Sequence, residues 1–336
     1  MACRSRVNHE YQENGKYQQY GRFNFGVVTL NLPQIALKSL KTTNKKERKD
    51  KFFEILENFG YPIMKKALEQ RFEFVRHLQA KRAPILFQYG AIARLKPEET
   101  VEKILKTDRA SLSYGFLGID DCVRILTDDK ENISKEEGHK LGLEIMKAIK
   151  KQADRIKQET GLPVSVYGTP AEASIATFFN IDKQNYSDVM PEWLKKRGYY
   201  TNSFHFSSEL PIDAFDKIDT EAPFIKYCNG GNIMYVENSG KYYNNEAILE
   251  LIRYAHNKGI EYFAINTVKD ICFKCGYTGE ISYDEKTAKY KCPQCGNEEG
   301  MKMKIQRRSC GYISNYNITH GLEGRMKEIK NRAKHF

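Results

Sequence analysis

The chain lacks any run of about 18 or more apolar residues, and its opening MACRSRVNHEYQENG has no apolar core of the secretory kind. Those absences remove the sequence signatures of a membrane span and of an exported precursor, so a cytoplasmic protein with no membrane partner is expected. No internal repeat or low-complexity tract is present either, which argues against a solenoid or a disordered chain. Acidic residues are the scarcer charge, 43 against 54 Lys and Arg, leaving a formal charge of +11. That excess suits anionic partners, nucleotide phosphates or nucleic acid, without choosing between them. Seven basic residues fall in KSLKTTNKKERKDK, residues 38–51, expected to be a solvated loop leading into a helix.

What is present is enough for a large core: 336 residues, 40% of them hydrophobic. Strand-like runs occur at residues 23–33 (ended by Pro33), 111–119, 162–168, 230–237 and 260–268. Helical periodicity fills the intervals. Apolar residues recur at helical spacing from Asp50 to about Ala80, with a break expected near Gly60 and Pro62. Further helices are expected at residues 138–161, closed by Gly161, and at 244–259. In TPAEASIATFF, Thr169 can serve as N-cap, Pro170 as N1 and Glu172 as N3, a capping box that would aim the first-turn amides at the loop. Five strands separated by helices indicate an α/β protein with a parallel sheet or half of a larger α/β barrel. Beyond Val268 the composition changes, so a boundary is expected near residue 269: a body at 1–268, a cysteine module at 269–300, and a tail at 301–336.

Eight cysteines in a chain expected to be cytosolic favour metal ligation or catalysis over disulfides. Four of them form CFKC (Cys272, Cys275) and, sixteen residues later, CPQC (Cys292, Cys295), two knuckles that can surround one Zn²⁺ tetrahedrally. The segment is too small and polar to fold on its own core, so metal binding would supply folding energy. Gly276 and Gly296 suit the tight turn after each pair. Cys122 and Cys228 read as small buried residues, and His205 as a structural histidine.

After the cysteines comes QRRSCGYISNY, residues 306–316, and here the chain resembles the C-terminal end of the class III ribonucleotide reductases of the glycyl radical enzyme family. Further similar segments follow in the family's order: ACRSRV (2–7), GVVTLNLPQIAL (26–37), SLSYGFLGIDD (111–121), YGTPAEAS (167–174) and YYTNSFHF (199–206). The resemblance assigns the glycyl radical to Gly311 and the thiyl radical to Cys3, at a finger loop where Ala2 replaces the usual glycine. Radical chemistry explains the residue types. A radical on a glycine Cα is shared with the adjacent amides and needs a planar centre that a side chain would crowd.

The resemblance further implies reduction of ribonucleoside triphosphates, with the radical installed by a separate S-adenosylmethionine/4Fe-4S activase. Formate or a thioredoxin-like protein would be the reductant, and Asn31 resembles a position in formate-using members. The turn opening at Thr169, with Ala171, Glu172, Ala173 and Ser174, is the expected triphosphate cradle, since unpaired amides and the helix dipole favour anions. Family members carry an N-terminal regulatory domain, where ATP or dNTP effectors bind, and the first five strands of a ten-stranded barrel before the finger loop. The chain is therefore expected to be half of that barrel plus the zinc module and radical loop, to need an N-terminal reductase fragment, and to form a homodimer when completed. A basic zinc-ribbon protein that binds nucleic acid, or an inactive remnant, are the alternative readings.

Overall fold

The computed structural model describes residues 4–6, 12–17, 21–105, 109–240, 244–284, 287, 289–309, 313–315 and 323–336. Strand β1 (Phe23–Asn31) runs straight into helix α1 (Leu32–Thr42), because Asn31 caps the helix and accepts from the Gln34 amide. Pro33 sits in the first turn, where its missing N–H is no loss. Helices α2 (Arg48–Ile55) and α3 (Tyr61–Arg76) follow, then β2 (Ala110–Leu117), α4 (Ile119–Leu126), α5 (Glu136–Thr160) and β3 (Val164–Gly168). Next come α6 (Ser174–Asn185), α7 (Ala214–Ile225), β4 (Met234–Asn238), α8 (Asn245–Asn257) and β5 (Phe263–Thr267).

Two expectations are corrected. The break near Gly60 and Pro62 does not occur: a π-helical turn, Leu56–Gly60, joins α2 to α3 and absorbs the proline. The capping box at Thr169 does not form, for Ala171 and Glu172 adopt φ of 53° and 40°, left-handed values that no helical first turn can contain. Helix α6 instead begins at Ser174, and no side chain caps it. By contrast Gly161, at φ 69°, closes α5 as its position suggests.

Strands β1-β2-β3 pair in parallel in that order, β4-β5 form a second parallel pair, and Gln12–Glu13 with Lys16–Tyr17 make a small antiparallel pair. The backbone of residues 229–231 joins the two. Gly230 donates to the Val166 carbonyl (2.6 Å), the Gly168 amide donates to the Gly231 carbonyl (2.9 Å), and Asn229 Oδ1 accepts from the Val166 amide (3.0 Å). The N-terminal segment lies against the same glycines, with the Arg6 amide donating to the Gly230 carbonyl at 2.9 Å.

The β1-β2-β3 sheet has two unlike faces. Leu30, Leu112, Tyr114, Phe116, Val164 and Val166 belong to the main core under the helices, where the Tyr114 hydroxyl donates to Gln152 of α5 at 2.9 Å. The alternate positions carry Asn24, Thr29, Ser111, Ser113, Gly115 and Ser165, mostly small and polar, with Val27 and Tyr167 beside them. Asn24 donates to Ser113 (2.6 Å), and the Thr29 and Thr169 hydroxyls meet at 3.3 Å over Gly115, where a Cβ would collide with Thr169. Apolar packing thus fixes the sheet from one side and leaves a polar floor on the other.

A Cβ at Gly231, whose φ is 116°, would collide with the Arg4 carbonyl and the Arg6 amide. Gly231→Ala is therefore expected to cost about 1–3 kcal/mol, read by denaturant unfolding, and to deprotect the Arg6 amide in hydrogen exchange. Wild-type stability and protection in that variant would refute this account.

Candidate functional site

The two ends of the chain converge at β4. Strand β4 brings the Tyr235 ring to two guanidinium groups: the Arg308 Cζ is 3.7 Å from the ring centroid and the Arg4 Cζ is 5.4 Å. Arg308 also pairs with the buried Glu237 at 2.5 Å, and Asn266 of β5 donates to the same carboxylate. Arg4, Pro170, Tyr235, Glu237, Arg308 and Ser309 line a cavity of about 70 Å³. Cys3 and Gly311 lie outside the described residues, as does Cys310, but Arg4 and Ser309, which flank them, share this cavity.

The Thr169–Ser174 segment lies on the polar face of the sheet. It is a tight turn: Glu172 donates to the Pro170 carbonyl and Ser174 to the Ala171 carbonyl, both at 2.6 Å. Asn24, Gly26, Arg71, Thr169, Ala171 and Ser174 line an open pocket of about 580 Å³ beside it. Pro170 belongs to both cavities, so they adjoin. Asn31 lies elsewhere: its amide donates to Asp182 at 2.7 Å, within a buried cluster that also takes Gln34 (2.7 Å) and Tyr200 (2.9 Å).

Sequence reasoning missed the carboxylates that hold the loop over the cavity. Asp121 accepts from the Thr201 amide (2.7 Å) and hydroxyl (3.1 Å) and pairs with Arg197. Asp120 accepts from the Ile133 (3.0 Å) and Ser207 (3.1 Å) amides, and burial together with Asp121 pushes its carboxyl up to about 6. Glu221 is shared by Lys217 (2.5 Å) and His205 Nδ1 (2.9 Å), the structural histidine the sequence suggested. Burial holds the His205 imidazole below its ordinary pKa, against the opposing pull of Glu221. The available signal was the acidic pair of GIDD directly after an apolar strand, since buried carboxylates occur where something must be anchored. Cys122 and Cys228 are buried, as read.

The four paired cysteines form a cluster whose sulfurs all lie within 4.8 Å of one another. Cys272 to Cys295 and Cys275 to Cys292 are each 3.7 Å apart. A tetrahedral ion with Zn–S bonds near 2.3 Å sets sulfurs about 3.8 Å apart, so the residues fit such an ion. The two knuckles are built alike: the Gly276 amide donates to the Cys272 carbonyl and the Gly296 amide to the Cys292 carbonyl, both at 2.9 Å. Both glycines have positive φ, 77° and 68°. The site can hold a metal ion and is closed by four protein ligands. Among the described residues no helix is long and apolar enough to cross a membrane.

A family model described as anaerobic ribonucleoside-triphosphate reductase matches residues 1–335. The protein of that name from Escherichia coli (strain K12) is 34% identical over 336 residues, 100% of this chain and 46% of that protein. Its counterpart from Enterobacteria phage T4 is 36% identical over 336 residues, 100% of this chain and 52% of that protein. The chain thus spans about half the length of the curated relatives it matches. A solved anaerobic ribonucleotide reductase superposes with a TM-score of 0.70 at 22% identity, covering 94% of this chain and 45% of that chain. The enzyme from Thermotoga maritima in complex with dATP and CTP gives 0.63 at 22% identity, over 88% and 43%. At that identity the likeness shows a shared fold.

Two outcomes follow from this geometry. Cys292→Ser is expected to abolish stoichiometric metal in elemental analysis and to unfold residues 270–304 locally while the sheets persist; full metal retention would refute the closed site. Glu221 and Glu237 are each held at about 2: burial alone would raise them, but His205 and Lys217, or Arg308 and Arg332, outweigh it. Their folded pKa lies below the unfolded value, so the stability they contribute is present above about pH 4.5 and is lost as pH falls from there towards 2, roughly 3 kcal/mol apiece at most. Unfolding measured from pH 5 to 3 should show a shallower acid limb in Glu221→Gln, and an identical slope would count against this pairing.

Proposed function

The chain belongs to the anaerobic ribonucleoside-triphosphate reductase family, and from that membership we propose that it is the C-terminal part of an enzyme reducing ribonucleoside triphosphates to 2′-deoxyribonucleotides by radical chemistry. The observation that carries this reading is the shared cavity of Arg4 and Ser309 at Tyr235. Cys3 precedes the first and Gly311 follows the second by two residues. Hydrogen transfer between a cysteine sulfur and a glycine α-carbon needs such proximity and an enclosed, water-poor place.

In this reading an S-adenosylmethionine/4Fe-4S activase removes one hydrogen from the Gly311 α-carbon. Gly311 takes the hydrogen of the Cys3 thiol, and the thiyl takes the 3′-hydrogen of the ribose. The 2′-hydroxyl then leaves as water, two electrons and protons come from formate or a thioredoxin-like reductant, and the 3′-hydrogen returns. Substrate phosphates rest on the turn of Thr169, Ala171, Glu172, Ala173 and Ser174, whose open pocket meets the radical cavity at Pro170. Two left-handed residues bend this turn, as in backbone concavities that bind anions. Asn31, the position that resembles one in formate-using members, is bonded to the buried Asp182 away from both cavities. Cys272, Cys275, Cys292 and Cys295 would hold a zinc ion, whose role would be structural.

The five parallel strands form half of a ten-stranded barrel. An N-terminal reductase fragment supplies the other half and the ATP or dNTP effector sites, and the completed enzyme is a homodimer. The division into body (1–268), zinc module (269–300) and tail (301–336) follows this reading, as does a cytoplasmic setting.

With the N-terminal part and an activase supplied without oxygen, a doublet radical signal is expected in electron paramagnetic resonance. Gly311→Ala should lack it; Cys3→Ala should keep it while nucleotide reduction falls to background. Reduction by Cys3→Ala at the wild-type rate would overturn the mechanism.

A further inference from the structure

Residue 311 lies between strands Gln306–Arg308 and Ile313–Asn315, an antiparallel pair in which Arg308 faces Ile313. Side chains of the hairpin already tie it down, Arg308 to Glu237 and Arg307 to Asp270, and the last fourteen residues add a hold on its backbone. Helix α9 (Glu323–Lys330) is wedged in place from two sides. Gly324 approaches so closely that a Cβ would collide with the Gly198 carbonyl and lie 3.1 Å from that of Ala176 in α6. Met326 and Ile329 pack on the cysteine module.

From this fixed helix Glu328 grips Arg332 side-on, accepting from Nε and Nη2 at 3.0 Å each, while Arg325 braces the same carboxylate at 2.5 Å. The far edge of the Arg332 guanidinium donates to two main-chain carbonyls of the hairpin, Arg308 at 2.7 Å and Ser309 at 3.3 Å. Arg332 and Glu328 side chains are each only 8% exposed. The tail beyond is sewn down: Ala333 donates to the Ser208 carbonyl (2.7 Å) and His335 to the Glu237 carbonyl (2.8 Å), while His335 Nδ1 accepts from the Glu237 amide at 2.8 Å.

We propose that Arg332 is the positioning residue of the hairpin, a latch that fixes residues 308 and 309 through their backbone. It meets the hairpin at two main-chain carbonyls, and that grip uses the planar fork that engages a carboxylate on one edge and carbonyls on the other. A lysine ammonium, one compact charge, cannot serve both edges. The bearing of the latch on catalysis rests on Gly311 being the radical site; its mechanical role does not.

The test is hydrogen exchange on the full 336-residue chain. In Arg332→Lys, peptides covering 306–309 and 313–315 are expected to exchange at least about tenfold faster, with β1, β2 and β3 unchanged. Lys334→Gln, which removes only a surface pair with Glu280, should exchange as wild type. Should Arg332→Lys not fold, Glu328→Gln leaves the guanidinium in place and carries the same expectation. Wild-type exchange in the hairpin, or acceleration spread evenly over the whole chain, would overturn the latch. In the completed, activated enzyme Arg332→Lys should still form the doublet but turn over at least about tenfold less per radical; equal turnover would overturn its role in positioning. If wild type forms no doublet, the radical reading of residue 311 fails, and the exchange result still decides the latch.

Discussion

Two glycines without side chains, Gly230 and Gly231, permit the contact on which the arrangement turns: three stretches of backbone packed within hydrogen-bond distance. On one side they continue the ladder of β3 through Val166 and Gly168; on the other they receive the Arg6 amide. Any Cβ at Gly231 would occupy the path of residues 4–6. The join between the two sheets and the seat of the N-terminal segment are therefore one feature, and β4 leaves it carrying Tyr235 and Glu237 towards the C-terminal hairpin.

Around that join the protein accumulates buried charge. Glu221, Glu237 and Glu328 are all at least nine-tenths shielded from water, yet each is held ionised by two cationic or imidazole neighbours. Desolvation of such groups is expensive, and apolar packing would serve stability equally well. What ion pairs add is direction, because forked guanidinium and carboxylate groups fix relative orientation as well as distance. Arg308–Glu237 and Arg332–Glu328 tie the C-terminal hairpin and tail in place, whereas His205–Glu221 ties the loop over the cavity to α7. The cysteine module reaches the same rigidity by another route, a cluster of four sulfurs beneath a few apolar residues.

The legible parts were those encoded locally. Apolar runs bounded by Gly and Pro marked strands β1 to β5, though not the short pair at Gln12–Glu13 and Lys16–Tyr17, and Gly161 marked the end of α5, because burial and left-handed caps leave periodic traces. The doubled CxxC spacing marked the metal cluster through the geometry of its knuckles. TPAEAS misled, because the same residues that write a capping box also tolerate a strained turn. What tipped the balance was the Thr169 hydroxyl bonding to Thr29 on a distant strand, over a glycine that leaves room for it. The π-turn before Tyr61 was hidden for a similar reason: Gly60 lies close to Ile35 of α1, a neighbour no local pattern reveals.

By itself the sequence determined the α/β alternation, the strand positions, the four-sulfur cluster and the kinship of the chain, since each rests on spacing within a short window. Only the tertiary structure decided that Arg4 and Arg308 share one aromatic ring, that Asp120 and Asp121 anchor a loop, and that Arg332 holds the backbone of residues 308 and 309. Those are pairings between positions far apart along the chain, and no local pattern encodes them. They exist because parallel strands return the backbone to one edge of the sheet and there bring the two chain ends together.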